Sequence, residues 1–125
     1  MKDFKKYYII TEEPEIIYQA LTNASTLKLW TGEEAEMSTA PDSEFSLFGG
    51  DIVGKNIEFE EGKKIVQQWY FDGQDEPSIV TIKLHKHKDG TSAELRHTNI
   101  PDEAYDDMVE GWTDNYFRSL MEFYE

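Results

Sequence analysis

The sequence predicts an α+β fold in which a bent antiparallel sheet wraps around one long C-terminal helix. Three observations carry this. Between Pro101 and Glu125, Tyr105, Met108, Val109, Trp112, Tyr116, Leu120 and Phe123 recur at steps of three and four, the period of a helix that buries one side. Between Glu33 and Asn99 the chain reads almost wholly as strand and turn. After residue 32 no strand–helix alternation appears, which argues against a parallel doubly wound sheet.

The elements follow in order. Lys2 to Thr11 is a first strand rich in Phe4, Tyr7, Tyr8, Ile9 and Ile10. Pro14 opens a short helix to Leu21, with Ile17, Ala20 and Leu21 on its buried side. Asn23 caps a second short helix carrying Leu27 and Trp30, and Thr31-Gly32 ends it. Ala35 to Ser38 is a weak strand, and Ala40 to Ser43 a turn. Phe45 to Leu47 alternates as a strand, then Phe48-Gly49-Gly50-Asp51 breaks it. Ile52 to Glu60 is a strand with Gly54 inside, the mark of a bulge or a close backbone approach. Glu61-Gly62 turns into Lys64 to Phe71, with Ile65, Gln67, Trp69 and Phe71 on one face. Asp72 to Pro77 is a polar loop. Ser78 to His87 places Val80, Ile82 and Leu84 on one face, Asp89-Gly90 turns, and Thr91 to Thr98 returns with Ala93, Leu95 and His97 inward. Pro101 suits a first helical turn, and Asp102, Glu103, Asp106 and Asp107 complement the helix dipole.

Composition bounds the function. The 125 residues are expected to form one domain. The chain has no cysteine, which removes disulfides, thiol nucleophiles and cysteine metal sites and fits a reducing compartment. No stretch is apolar and long enough to span a membrane and no signal-peptide pattern follows Met1, so a cytoplasmic protein is expected. Lysine and arginine number 12 against 26 acidic residues, a net charge of −14. Such a charge repels nucleic acid and anionic membrane, and it favours a monomer.

Several motifs together resemble one known family. They are Ala20-Leu21-Thr22 with Leu29-Trp30-Thr31-Gly32, Phe45-Ser46-Leu47-Phe48-Gly49-Gly50-Asp51-Ile52-Val53-Gly54, and Ile65-Val66-Gln67-Gln68-Trp69. Ser78-Ile79-Val80-Thr81-Ile82, Ile100-Pro101 and Gly111-Trp112 complete the set. The chain is similar to the domain homologous to the C-terminal half of the ATPase activator of the 90-kDa heat-shock chaperone, within the START-like or SRPBCC superfamily. The resemblance covers essentially the whole chain. It implies a helix-grip fold with about six or seven strands, and a cavity between sheet and helix that in many members holds an apolar ligand. The separate N-terminal domain of the eukaryotic activator, and its asparagine-tryptophan-histidine-tryptophan run, have no counterpart in these residues.

Two roles are therefore expected, a pocket for a small hydrophobic or lipid-like ligand and, as the alternative, a chaperone-interacting module. The expected pocket walls are Trp30, Phe45, Trp69, Phe71, Trp112 and Tyr116, joined by Val80, Ile82, Leu95 and Met108. Gln67, His97 and Tyr116 are the expected polar contacts. Core filling by the same rings is the competing expectation. His85 and His87 share a strand face that points to solvent and lack a third metal ligand. Glu33, Glu34 and Glu36, and Glu58, Glu60 and Glu61, read as solvated charge or an acidic patch for a basic partner. No Gly-x-Ser-x-Gly elbow or phosphate-binding glycine loop occurs, and only His97 could act as a base in a pocket. A binding role without cofactor or metal is expected over catalysis.

Overall fold

The computed structural model describes residues 1–74 and 76–125; Asp75, within the expected Asp72 to Pro77 loop, lies outside the described residues. Among the described residues six strands form one antiparallel sheet: β1 (Lys2–Ile10), β2 (Glu44–Leu47), β3 (Ile52–Glu60), β4 (Lys64–Trp69), β5 (Ser78–His87) and β6 (Gly90–Ile100). Their spatial order is β1-β6-β5-β4-β3-β2. The first two strands, β1 and β2, thus sit at opposite edges, and the long connection between them carries two helices, α1 (Pro14–Thr22) and α2 (Ala24–Thr31). Helix α1 lies on β5 and β6, while α2 contacts the C-terminal helix.

Local chemistry accounts for the short helices. Pro14 takes the first helical position of α1, where no N–H is needed. Asn23 caps α2, its side-chain oxygen accepting the Thr26 backbone N–H at 3.0 Å. Gly32 closes α2 in the left-handed conformation with φ 73°, which a side chain would resist.

The sheet's inner face follows the two-residue period. Ile65, Gln67 and Trp69 on β4, Val80, Ile82 and Leu84 on β5, and Ala93, Leu95 and His97 on β6 are all buried. Two features bend the sheet. On β3 the pairing register shifts between Asn56 and Glu58, a bulge that increases local twist. At Gly54 a Cβ would stand 2.0 Å from the Gln68 carbonyl oxygen and 2.8 Å from the Phe45 ring. Only glycine lets the backbones approach this closely.

The segment Ala35 to Ser38 makes one isolated bridge, Glu36 to Ser46, rather than a strand. Strand β4 stops at Trp69, two residues short of Phe71, and β6 runs on to Ile100.

The C-terminal helix departs from the uniform α-period. A 3-10 turn (Asp102–Ala104) leads into α3 (Tyr105–Gly111), then a π-helical segment (Trp112–Phe117), then α4 (Arg118–Phe123). A π-turn bonds i to i+5, so residues five apart face the same way. Trp112 and Phe117 are both fully buried, while Phe123 is 44% exposed. The even three-and-four stripe put Phe123 inside and left out Phe117; the wider turn rephases the helix and reverses both.

Aromatic contacts join helix to sheet. Tyr8 of β1 stacks on Phe117 with centroids 4.1 Å apart and planes 8° apart. Trp69 of β4 stacks on Trp112 at 4.6 Å and 26°. Each such pair adds about 0.5–1.5 kcal/mol beyond its area burial. Among the described residues no helix is long and apolar enough to cross a membrane.

Candidate functional site

The stacked Trp69–Trp112 pair is pinned from both sides by hydrogen bonds. An indole N–H can only donate, so each ring needs an acceptor in the core. Trp69 Nε1 donates to Gln67 Oε1 at 3.1 Å, and Gln67 Nε2 donates to Asn56 Oδ1 at 3.0 Å. Asn56 Nδ2 then donates to the Ser38 carbonyl at 3.0 Å. Trp112 Nε1 donates to His97 Nδ1 at 3.0 Å. That leaves the proton of neutral His97 on Nε2, which donates to Ser78 Oγ at 2.8 Å, and Ser78 donates to the Thr98 carbonyl at 3.0 Å. Burial pushes the His97 pKa down to about 4, the nearby Asp3 charge opposing this weakly.

In front of this pair lies an open groove of about 510 Å3 between the π-helical segment, the end of α2 and the turn before β3. Trp69, Trp112 and Tyr116 form its back, and Phe48, Ile52 and Met108 give it partly exposed apolar walls. Phe48 sits at φ 54°, a left-handed conformation that costs a non-glycine residue about 1–2 kcal/mol. Its ring is placed 6.2 Å from both Trp30 and Tyr116. Asn115 and Ser119 add polar groups from the helix, and Glu33, Asp51 and Asp107 add carboxylates.

Tyr116 is the polar group aimed into the groove. The residue is 4% exposed, and its hydroxyl makes no hydrogen bond within the described residues. No fully buried side-chain polar atom there lacks a partner. The hydroxyl oxygen therefore reaches open space, and the space that Tyr116 lines is this groove. Burial pushes its pKa up, so the hydroxyl stays protonated and can donate.

The structure divides the expected pocket residues. Trp69, Met108, Trp112 and Tyr116 come together at the groove. Trp30 packs edge-on against Tyr116 at 5.2 Å and donates its Nε1 proton to the Ala20 carbonyl at 2.8 Å. Phe45, Val80, Ile82 and Leu95 lie in the solid core. Gln67 and His97 each give one polar atom to a tryptophan and the other to Asn56 and Ser78 respectively, and do not line the groove. Phe71 lines a separate hollow of about 240 Å3 together with Gln74, Glu76 and Pro77. The sequence offered Glu33 as solvated or acidic-patch charge and Asp107 as helix-dipole charge, and placed neither of them, nor Phe48, Ile52 or Asp51, in the pocket. The glycine break at Phe48 to Asp51 was the visible signal, since a sharp turn between strands projects side chains toward a sheet's open end.

His85 and His87 stand on the outer side of β5. His85 Nε2 meets Glu94 Oε1 at 3.0 Å, and His87 Nδ1 accepts the Asp89 backbone N–H at 3.1 Å. Among the described residues no group of three or more histidine or carboxylate side chains is gathered as a metal site.

The family model described as "Activator of Hsp90 ATPase homolog 1-like protein" matches residues 12–125. The chain belongs to this family. A Dictyostelium discoideum relative, "Activator of 90 kDa heat shock protein ATPase homolog", is 30% identical over 105 residues, which are 82% of this chain and 27% of that protein. The chain thus spans about a quarter of the length of such curated relatives. A crystal structure of an HSP90 activator from Plasmodium falciparum superposes with TM-score 0.85 at 29% identity, covering 94% of this chain and 92% of the other. The Aha1 dimer from Colwellia psychrerythraea shares the fold, with TM-score 0.79 at 20% identity over 99% and 94% of the two chains. The helix-grip fold implied by the sequence motifs is the fold of this family member.

Proposed function

We propose that this family member is a non-enzymatic binding domain whose working site is the groove in front of Trp69 and Trp112, taking a small apolar ligand. The groove carries the reading. Its volume of about 510 Å3 falls within the roughly 300–1,000 Å3 usual for small-molecule sites. Its apolar walls supply burial, and the unpaired Tyr116 hydroxyl supplies orientation. The site is an open cleft at the helix–sheet seam, rather than a sealed chamber among the core residues. Native mass spectrometry of the purified protein, with tryptophan fluorescence titrated against a panel of lipids and aromatic compounds, tests it. A co-purified mass or a saturable fluorescence change is expected. No bound mass and no titration across the panel contradict it.

The names of its relatives favour a second role, as a module acting on a chaperone of the 90-kDa class. The Dictyostelium and Plasmodium proteins are both named for activating that chaperone. A pull-down together with the chaperone's ATPase rate tests this. Enrichment with a changed rate supports it, and neither effect removes it. Both roles suit a cytoplasmic monomer, which cell fractionation and gel filtration test.

A further inference from the structure

The groove carries charge of one sign. Glu33, Asp51 and Asp107 line it, and among the described residues no lysine, arginine or histidine does. The three carboxylates come from separate places in the chain: just beyond α2, the end of the turn before β3, and α3. They are exposed, and among the described residues none takes part in an ion pair. Dipole compensation accounts for Asp107 alone; Glu33 and Asp51 line the groove without it. The Glu33 carboxylate leans over the turn, where Oε1 would be 3.8 Å from a Cβ on Gly49. Behind the carboxylates stand half-buried Phe48, Ile52 and Met108, and the Tyr116 hydroxyl.

We infer that the groove selects a small organic amine with an apolar body. The ammonium faces Glu33, Asp51 and Asp107, the hydrocarbon lies on Ile52, Met108 and Phe48, and Tyr116 hydrogen-bonds a polar atom of the ligand. This rests on the groove being the binding site and adds the charge of its occupant. A net charge of −14 draws cations toward the whole surface; the aromatic back and bounded volume make this one place fit an amphiphile. Acids and phosphorylated lipids would meet three like charges with no cation to receive them.

The test is fluorescence titration of the whole chain with octylamine, octanol and octanoate, three probes that share one tail. Octylamine is expected to bind roughly tenfold tighter than octanol, the sum of a few partly screened charge contacts, with octanoate weakest. Raising salt should erode the advantage. The triple variant E33Q/D51N/D107N changes exposed side chains only and should bring octylamine to the octanol level. Equal binding of the three probes, or an unchanged octylamine affinity in the triple variant, overturns the amine and leaves the groove as a site. No titration by any probe sinks the groove and the amine together. A lysine-rich peptide binding tighter than octylamine replaces the small ligand by a protein segment and overturns the inference.

Discussion

Trp112 donates its indole N–H to Nδ1 of His97 across 3.0 Å, and that bond fixes the imidazole in the tautomer whose Nε2 proton serves Ser78. The tryptophan at the back of the groove is thus held by a histidine that must stay neutral. Protonation would place a second donor where an acceptor is required.

This arrangement predicts a pH dependence. His97 titrates near 4 when folded, against an ordinary value of 6.5. The unfolded chain takes up the proton as pH falls below about 6.5, while the folded chain refuses it until about 4. Stability from this residue is therefore complete above pH 6.5 and is lost as pH falls toward 4. The full loss is on the order of 3 kcal/mol. Urea midpoints measured from pH 7 to 4.5 should fall more steeply in the wild type than in His97→Asn. Equal slopes contradict the buried neutral imidazole.

Trp112→Phe keeps most of the packing and removes the donor. His97 Nδ1 then lacks its partner, at a cost of about 1–3 kcal/mol. Trp112→Ala also opens a void and should cost about 3–5 kcal/mol. Chemical denaturation of both variants checks the ordering. A phenylalanine variant as stable as wild type would mean the hydrogen bond contributes nothing.

Gly54→Ala should be among the more damaging single-methyl additions. The new Cβ would meet the Gln68 carbonyl oxygen at 2.0 Å, and backbone cannot yield as a flexible side chain would. A loss of about 1–3 kcal/mol is expected from such overpacking, read as a lowered thermal midpoint. A midpoint unchanged within error would show that β3 can shift freely against β2 and β4.

Asn56→Ala should break the second chain. Gln67 Nε2 loses its acceptor in a fully closed part of the core, at about 1–3 kcal/mol, and the Ser38 and Ser43 loop loses its anchor. Indole N–H exchange at Trp69 should quicken while that at Trp30 stays as it was. Unchanged exchange at Trp69 contradicts the relay.

Much of this molecule was legible in its residues. Pro14, Asn23 and Gly32 marked the bounds of two short helices because each acts through its own local backbone. Alternation along β4, β5 and β6 gave the inner face because side chains on a strand have a strict period of two. The π-segment was not legible. Whether Trp112 to Phe117 winds by four or by five depends on the rings that must fit under the sheet, chiefly Tyr8 and Trp69, and those come from distant sequence. For the same reason an inward face did not reveal where the core ends. Val80, Ile82 and Leu95 point the same way as Trp69, but they lie in the filled core, on strands that α1 covers. The groove opens where Phe48, Ile52 and Met108 are only partly buried.

The central claim is that this groove holds a ligand, and the methionine methyl groups report on it directly. Met108 lines the groove, whereas Met37 lies against Asn56 and does not line it. In methyl NMR titrated with octylamine and the lipid and aromatic panel, the Met108 signal should move saturably with at least one compound while Met37 stays still. A Met108 signal that never moves, or one that moves only in step with Met37, would contradict the account.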